Sequence, residues 1–342
     1  MKLVTVLMPV YNGEAFLKEA IDSILRQSFR DFELLIMDDG STDKTAAIIA
    51  SYTDPRIRYE KNETNLKIIQ TLNKGLVLST GKYIVRMDAD DVAMPDRIEK
   101  QAAFMEANPD VVLCGSSINR FSDRYSIVDE RGGDDNVTRA KLLFDTAVNH
   151  PSAIIRRNVL VEHNLEYPSQ YLHTEDYALW YALSRYGKVV NLDDVLVRYR
   201  MHGNNLSMQH NQLQYQNMNR MRLRIMKDFL AESNTSGAGE MIHQYENLLS
   251  LHSVSISEIK TMDVLLMSVI EINRKSKVYD DAGLKKAAAW FWYVVFTHEN
   301  CSRYSWKMLP LFLWNRDSVC RYLEKSYRKK LWVKSLLVWK KK

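Results

Sequence analysis

The chain has 342 residues, 46% apolar and 26% charged, enough to bury a sizeable core and too apolar for disorder to be its main state. Its three cysteines, Cys114, Cys301 and Cys320, are odd in number and far apart, which excludes a disulfide framework or a zinc spacing and suits a reducing compartment. The net charge is only +5, yet the bases from Arg303 to Lys342 are opposed by Asp317 and Glu324 alone, an asymmetry that suits an anionic partner surface.

In chain order, Val4 to Val10 is an unbroken apolar run, the pattern of a strand buried on both faces of a parallel sheet. Pro9, Asn12 and Gly13 make it too short for a signal peptide or a membrane span, so the mature protein is expected to begin inside the cell. Leu17, Ala20, Ile21, Ile24 and Leu25 recur at helical spacing. Phe32 to Met37 reads as a second strand, and Ser41 or Thr42 is expected to cap a helix through Ile48 and Ile49. A strand at Arg56 to Tyr59, a helix at Ile68 to Leu78 and a strand at Tyr83 to Met87 follow. Such alternation predicts an α/β fold with a mostly parallel sheet flanked by helices and ligands bound beyond the strands' carboxyl ends.

Further on, Val111 to Cys114 and Ala153 to Ile155 read as strands, Asp176 to Tyr186 as a helix and Lys188 to Tyr199 as a return strand. Beyond about residue 210 the pattern is helical, with a weak break at Ser233 to Gly239. The expected domains are residues 1–208, carrying the chemistry, and a helical region at 209–342.

Acidic clusters fall where ligands should bind. Asp88-Ala89-Asp90-Asp91 follows the Tyr83 strand, and its like charges need a cation or hydrogen bonds. Hard divalent ions accept such oxygen ligands, although a solvated acidic turn is the plainer alternative. Asp38-Asp39-Gly40-Ser41-Thr42-Asp43 closes the second strand, where a carboxylate can accept a base imino group or simply build an Asp-rich turn. Pro9-Val10-Tyr11-Asn12 closes the first, with Tyr11 placed to meet a base or to pack on the surface.

VTVLMPVYNGEAFLKEAIDSILRQSFRDFELLIMDDGSTD, the Asn73 to Gly75 triplet and GKYIVRMDADD, in this order and spacing, resemble the nucleotide-binding half of family 2 glycosyltransferases of the GT-A fold, bacterial cell-surface polysaccharide type. The resemblance covers residues 3 to about 97, and Thr174-Glu175-Asp176-Tyr177 resembles the family's acidic pair ahead of a helix. It implies a donor-binding set of Pro9, Tyr11, Asn12, Glu14, Asp38, Asp39, Asn73, Asp88, Ala89, Asp90 and Arg200. It also implies a divalent cation, Mg2+ or Mn2+, on Asp90, Asp91 and His202, and Asp176 as catalytic base with Glu175 as the alternative. Arg200 and His202 come from Arg198-Tyr199-Arg200-Met201-His202, which resembles the Arg-x-x-His or Tyr-Arg-x-His segment near the donor diphosphate of relatives and implies that they hold phosphate or metal. Asn149-His150-Pro151-Ser152 is expected to line the acceptor or diphosphate side, whereas Lys67 and Arg86 either reach phosphate or, on the plainer reading, are solvated surface charges.

The implied activity is metal-dependent, inverting transfer from a nucleotide-diphosphate sugar, a UDP-sugar first, to a glycan or lipid-linked glycan. Two readings compete: a non-catalytic protein that binds nucleotide-sugar or membrane, and a nucleotidyltransferase. The latter lacks a glycine-rich phosphate loop, since Met8 to Glu14 holds one glycine, and neither a G-x-G-x-x-G nor a P-loop is present. Nucleic acid is not an expected partner, because acidic strand ends repel phosphate. Ala288 to Phe296 is too short to span a bilayer. Leu309 to Trp314 and Leu331 to Trp339, with Lys340 to Lys342, suit either contact with an anionic membrane or packing within a helical subdomain. A cytoplasmic protein, peripheral at the inner face of the membrane, is expected.

Overall fold

The computed structural model describes residues 2–203, 211–249, 255–297 and 318–339. It divides into two compact units, Met1–Asp135 with Thr146–Met218, and Asn136–Asp145 with Asn219–Lys342.

The first unit is built on β1 (Val4–Val10), α1 (Leu17–Leu25), β2 (Phe32–Asp38), α2 (Thr45–Ala50), β3 (Ile57–Lys61), α3 (Ile68–Leu78), β4 (Tyr83–Arg86), β5 (Val92–Ala93), α4 (Arg97–Ala107) and β6 (Val111–Ser122). β7 (Tyr125–Asp129), β8 (Ile154–Arg156), α6 (Arg157–Glu162), α7 (Glu175–Leu183) and β9 (Lys188–Arg200) follow, whereas α5 (Asp135–Lys141), between β7 and β8 in the chain, belongs from Asn136 on to the second unit. Strand order is β3-β2-β1-β4-β8-β6-β9-β5, with β7 beside β6. β3, β2, β1 and β4 are mutually parallel, and β9 is parallel to β6; β8, β5 and β7 run against their neighbours. The sheet is mixed with a parallel majority, and every residue of β1 is buried, as its unbroken apolar run requires. Leu17, Ala20, Ile21 and Ile24 of α1 and Ile98, Ala102 and Met105 of α4 pack on one core with β1, β2 and β4.

Register aligns the ends that matter. Val10 of β1 sits opposite Asp38 of β2, so Tyr11 and Asn12 emerge beside Asp39, whose N–H donates to the Val10 carbonyl at 2.8 Å. β5 pairs with β9 through Val92 and Arg198, which turns the acidic segment before β5 toward Arg200.

Three expectations need correction. Ser41 and Thr42 do not cap α2, which starts at Thr45 without a side-chain cap; the Ser41 hydroxyl instead accepts the Asn12 N–H at 2.9 Å. β6 runs on to Ser122 rather than stopping at Cys114. Gly115 allows this, because a Cβ there would lie 2.1 Å from the Asn191 side chain on β9. The pattern gives no element between Cys114 and Ala153, yet residues 118–129 pair as the β6–β7 hairpin, hidden from pattern reading because Ser126, Ile127 and Val128 are all exposed.

The second unit is helical, with α8 (Asn211–Glu232) entering it, then α9 (Ala238–Leu249), α10 (Ile256–Ser276), α11 (Asp281–Thr297) and α12 (Lys325–Trp339). Its core includes Ile225, Phe229, Leu266, Val269, Trp292 and Phe296. The apolar run Ala288 to Phe296 lies in α11, mostly buried, with Trp292 stacked on Phe296 at 4.7 Å between ring centroids. Among the described residues no helix is long and apolar enough to cross a membrane. Cys301, Leu309 to Trp314 and Lys340 to Lys342 lie outside the described residues.

Candidate active site

The turn between β4 and β5 gathers Asp88, Asp90 and Asp91, whose ligand oxygens all lie within 4.8 Å of one another. Burial first, then their mutual repulsion, raises the carboxyls of Asp88 and Asp91 above the ordinary carboxylate range. Fixed donors offset part of that cost. The Arg200 N–H donates to Asp91 Oδ1 at 2.8 Å, and the Arg200 Nε to the Asp90 carbonyl at 2.8 Å. Oδ2 of Asp91 is buried with no hydrogen-bond partner. An oxygen-only set with such an orphaned atom fits a hard divalent cation.

Arg86, read from sequence as a surface charge, is 4% exposed at the end of β4 and ion-paired with Asp88. Two tightly packed carboxylates nearby explain why a cation is tolerated there. Sequence reasoning missed Arg97, fully buried in the first turn of α4, where arginine ordinarily faces solvent. Its Nη2 donates to the Arg86 carbonyl at 2.7 Å, and burial lowers its pKa to about 9. Two guanidiniums thus stand behind three carboxylates.

The end of β9 closes over this cluster. His202 Nε2 is 2.9 Å from Asp90 Oδ2, and the His202 ring lies against Phe16, 4.9 Å between centroids. Arg200 is held over Phe16 and Phe121 at 4.6 and 4.7 Å and pairs with Glu19. Arg200 therefore clamps the acidic turn onto β9, with its Nε turned to protein. Lys67 is exposed as expected.

At the ends of β1 and β2, Asp38 is fully buried, accepting from the Ser41 N–H at 2.8 Å and the Tyr59 hydroxyl at 2.7 Å. Asp39 accepts from Asn62 Nδ2 and the Leu66 N–H through Oδ1 and from the Lys67 N–H through Oδ2, at 2.8 to 2.9 Å. Pro9 is buried in β1, whereas Tyr11 is 51% exposed beside Asp39. Asn12 Oδ1 accepts the Thr42 N–H at 2.9 Å, and Glu14 accepts the Lys44 N–H at 3.1 Å, so both brace the turns around this opening. Asn73 faces elsewhere: its amide donates to and accepts from the Tyr167 backbone at 2.9 Å each way. Ala89 is half-buried within the acidic turn.

The third component comes from α7 and the Asn149–His150 turn. Glu175 is 6% exposed, and burial, then the adjacent Asp176 charge, pushes its carboxyl to about 7. Its Oε2 has no hydrogen-bond partner, nor does the buried Asn149 Nδ2. Asp176 is half-buried, and its Oδ1 accepts the Tyr177 N–H at 2.8 Å. His150 lies 2.9 Å from the Tyr167 hydroxyl, and burial with the nearby Arg86 charge keeps its imidazole neutral. Tyr167 is a second residue that no sequence signal marked.

Residues 5–163 match the family model described as Glycosyl transferase family 2. An uncharacterized glycosyltransferase of Haemophilus influenzae is 35% identical over 221 residues, covering 61% of this chain and 68% of that protein. The UDP-Glc:alpha-D-GlcNAc-diphosphoundecaprenol beta-1,3-glucosyltransferase WfgD of Escherichia coli is 27% identical over 207 residues, 60% of this chain and 79% of the relative. Among solved structures, S. aureus TarS 1-349 in complex with UDP-GlcNAc superposes with a TM-score of 0.57 at 18% identity, over 86% of this chain and 87% of that one. Mannosyltransferase PcManGT from Pyrobaculum calidifontis, in complex with GDP-Man and Mn2+, gives 0.54 at 17% identity over 100% and 88%. Both likenesses identify the GT-A fold.

Proposed function

Because the chain belongs to glycosyltransferase family 2, we propose that it transfers a sugar from a nucleotide-diphosphate donor, a UDP-sugar first, to a hydroxyl of a glycan or lipid-linked glycan, with inversion. The observation that carries this reading is the convergence of Asp88, Asp90 and Asp91 at the ends of β4 and β5. Similar proteins support the donor and acceptor classes: TarS was solved with UDP-GlcNAc, and the name of WfgD gives UDP-Glc as its donor and a diphosphoundecaprenol-linked GlcNAc as its acceptor.

Asp88, Asp90 and Asp91 would hold Mg2+ or Mn2+, with His202 steadying Asp90. When bound, such an ion supplies Lewis-acid stabilisation of charge on a leaving diphosphate. Arg200 keeps the acidic turn in place through its contacts to Asp90 and Asp91. Tyr11 presents an exposed ring beside Asp39, an arrangement suited to a nucleotide base. Asp176, in the first turn of α7, is assigned as the base that takes the acceptor proton while the hydroxyl attacks the anomeric carbon in line and the diphosphate departs. A single displacement of this kind inverts the anomeric centre. Glu175, buried and raised to about 7, is the alternative base. We assign the protein to the cytoplasm, peripheral at the inner face of the membrane, where a lipid-linked acceptor would be met.

Thermal shifts with UDP, GDP, TDP and CMP, each with Mn2+ and again with chelator, test the donor reading. A ligand at about 100 times its dissociation constant stabilises the fold by roughly 2.7 kcal/mol. A Mn2+-dependent shift with UDP is expected, followed by transfer from a UDP-sugar with inverted configuration seen by NMR. No shift with any nucleotide would overturn it.

A further inference from the structure

α12 turns Leu331 inward, fully buried, while Lys325, Lys329, Lys330 and Trp332 are exposed. Trp332 stands three residues after Lys329 and seven after Lys325, so the indole and these cations share one helix face. Just before the helix, Arg321 is also exposed, its guanidinium 4.6 Å from the Tyr322 ring centroid. From 318 to 332 five bases face a single acid, Glu324, and that carboxylate already lies 3.6 Å from Lys286. Arg328 is used within the unit, donating to the Leu323 and Cys320 carbonyls, whereas like charges on the exposed side of a helix repel one another.

We infer that this face of α12 is a contact surface for an anionic lipid bilayer. Lysine ammoniums reach lipid phosphates at the ends of long apolar stems, and an indole beside them fits the boundary between headgroups and acyl chains. Each base near such a surface favours binding by about fivefold. A single indole on a helix ridge gives one stacking platform and no channel, whereas sequence-tolerant nucleic-acid binding takes a groove with several. The inference rests on the lipid-linked acceptor reading for its purpose, not for the binding itself.

Co-sedimentation of the full chain with vesicles tests it without donor or acceptor. Binding to phosphatidylglycerol-containing vesicles, absent with pure phosphatidylcholine and weakened by salt, is expected. Lys325→Gln/Lys329→Gln should lower affinity by about 25-fold, two steps of about fivefold. Trp332→Ala should lose the part of binding that survives high salt; this second variant keeps the test alive if the first misfolds. Unchanged binding by both folded variants, no vesicle binding by the wild type, or preference for single-stranded RNA would each overturn the inference. Nucleotide-induced stabilisation, read in parallel, reports on the donor site separately.

Discussion

His202 Nε2 lies 2.9 Å from Asp90 Oδ2, joining the end of β9 to the acidic turn after β4 across 112 residues of chain. An imidazole so placed orients the carboxylate and fixes which of its oxygens faces inward. Partners that steady a ligand in this way typically affect metal affinity or activity by about 10- to 100-fold. His202→Ala should therefore raise the Mn2+ concentration needed for half-maximal nucleotide-induced stabilisation by about that factor, with the apo melting temperature little changed. An unaltered Mn2+ requirement would mean that the pair is incidental.

Asp176→Asn should reduce turnover on the order of 100- to 10,000-fold, the usual worth of a positioned base, while donor-induced stabilisation stays near wild type. Full activity in that variant would move the base elsewhere, with Glu175 the next residue to replace.

Glu175 yields a stability prediction with a definite sign. Its carboxyl is raised from 4.5 to about 7, so the folded chain binds that proton more tightly than the unfolded chain. Its contribution is complete below about pH 4.5 and disappears as pH rises through about 7. The shift corresponds to an amount on the order of 3 kcal/mol. Glu175→Gln, neutral at every pH, should match the wild type near pH 5 and exceed it in denaturation free energy at pH 8. Parallel stability–pH curves for the two proteins would contradict the buried, proton-holding state.

Gly40 joins Asp39 to Ser41 with φ +75°, and a Cβ there would stand 3.0 Å from the Thr64 carbonyl carbon. A left-handed conformation costs a residue with a side chain about 1–2 kcal/mol. Gly40→Ala should lower stability by at least that much in urea unfolding. It should also weaken nucleotide binding, since the Asp39 contacts to Leu66 and Lys67 depend on the same turn. Wild-type stability in the variant would show that the 62–67 segment yields easily.

Local pattern carried much of the first unit. The buried run of β1, the helical spacing of α1 and α3 and the acidic residues at strand ends all follow from periodicity and charge, which are written in neighbouring residues. These were enough for the α/β class, and the motif order was enough for the family. Arg86, Arg97 and Tyr167 escaped because an arginine after a strand, an arginine opening a helix and a lone tyrosine read as ordinary surface residues. Only long-range pairing buries them: β4 against β8 for Arg86, and the carboxylates of the turn as partners for both guanidiniums. The same holds for Asn73, whose local motif said nothing of its two hydrogen bonds to Tyr167. What the sequence alone determined was which residues had the chemistry to bind a cation and a nucleotide. Tertiary structure decided which of them meet, because the distance between Asp90 and His202 is set by the register of β5 on β9, a cooperative outcome of the whole sheet that no local window contains.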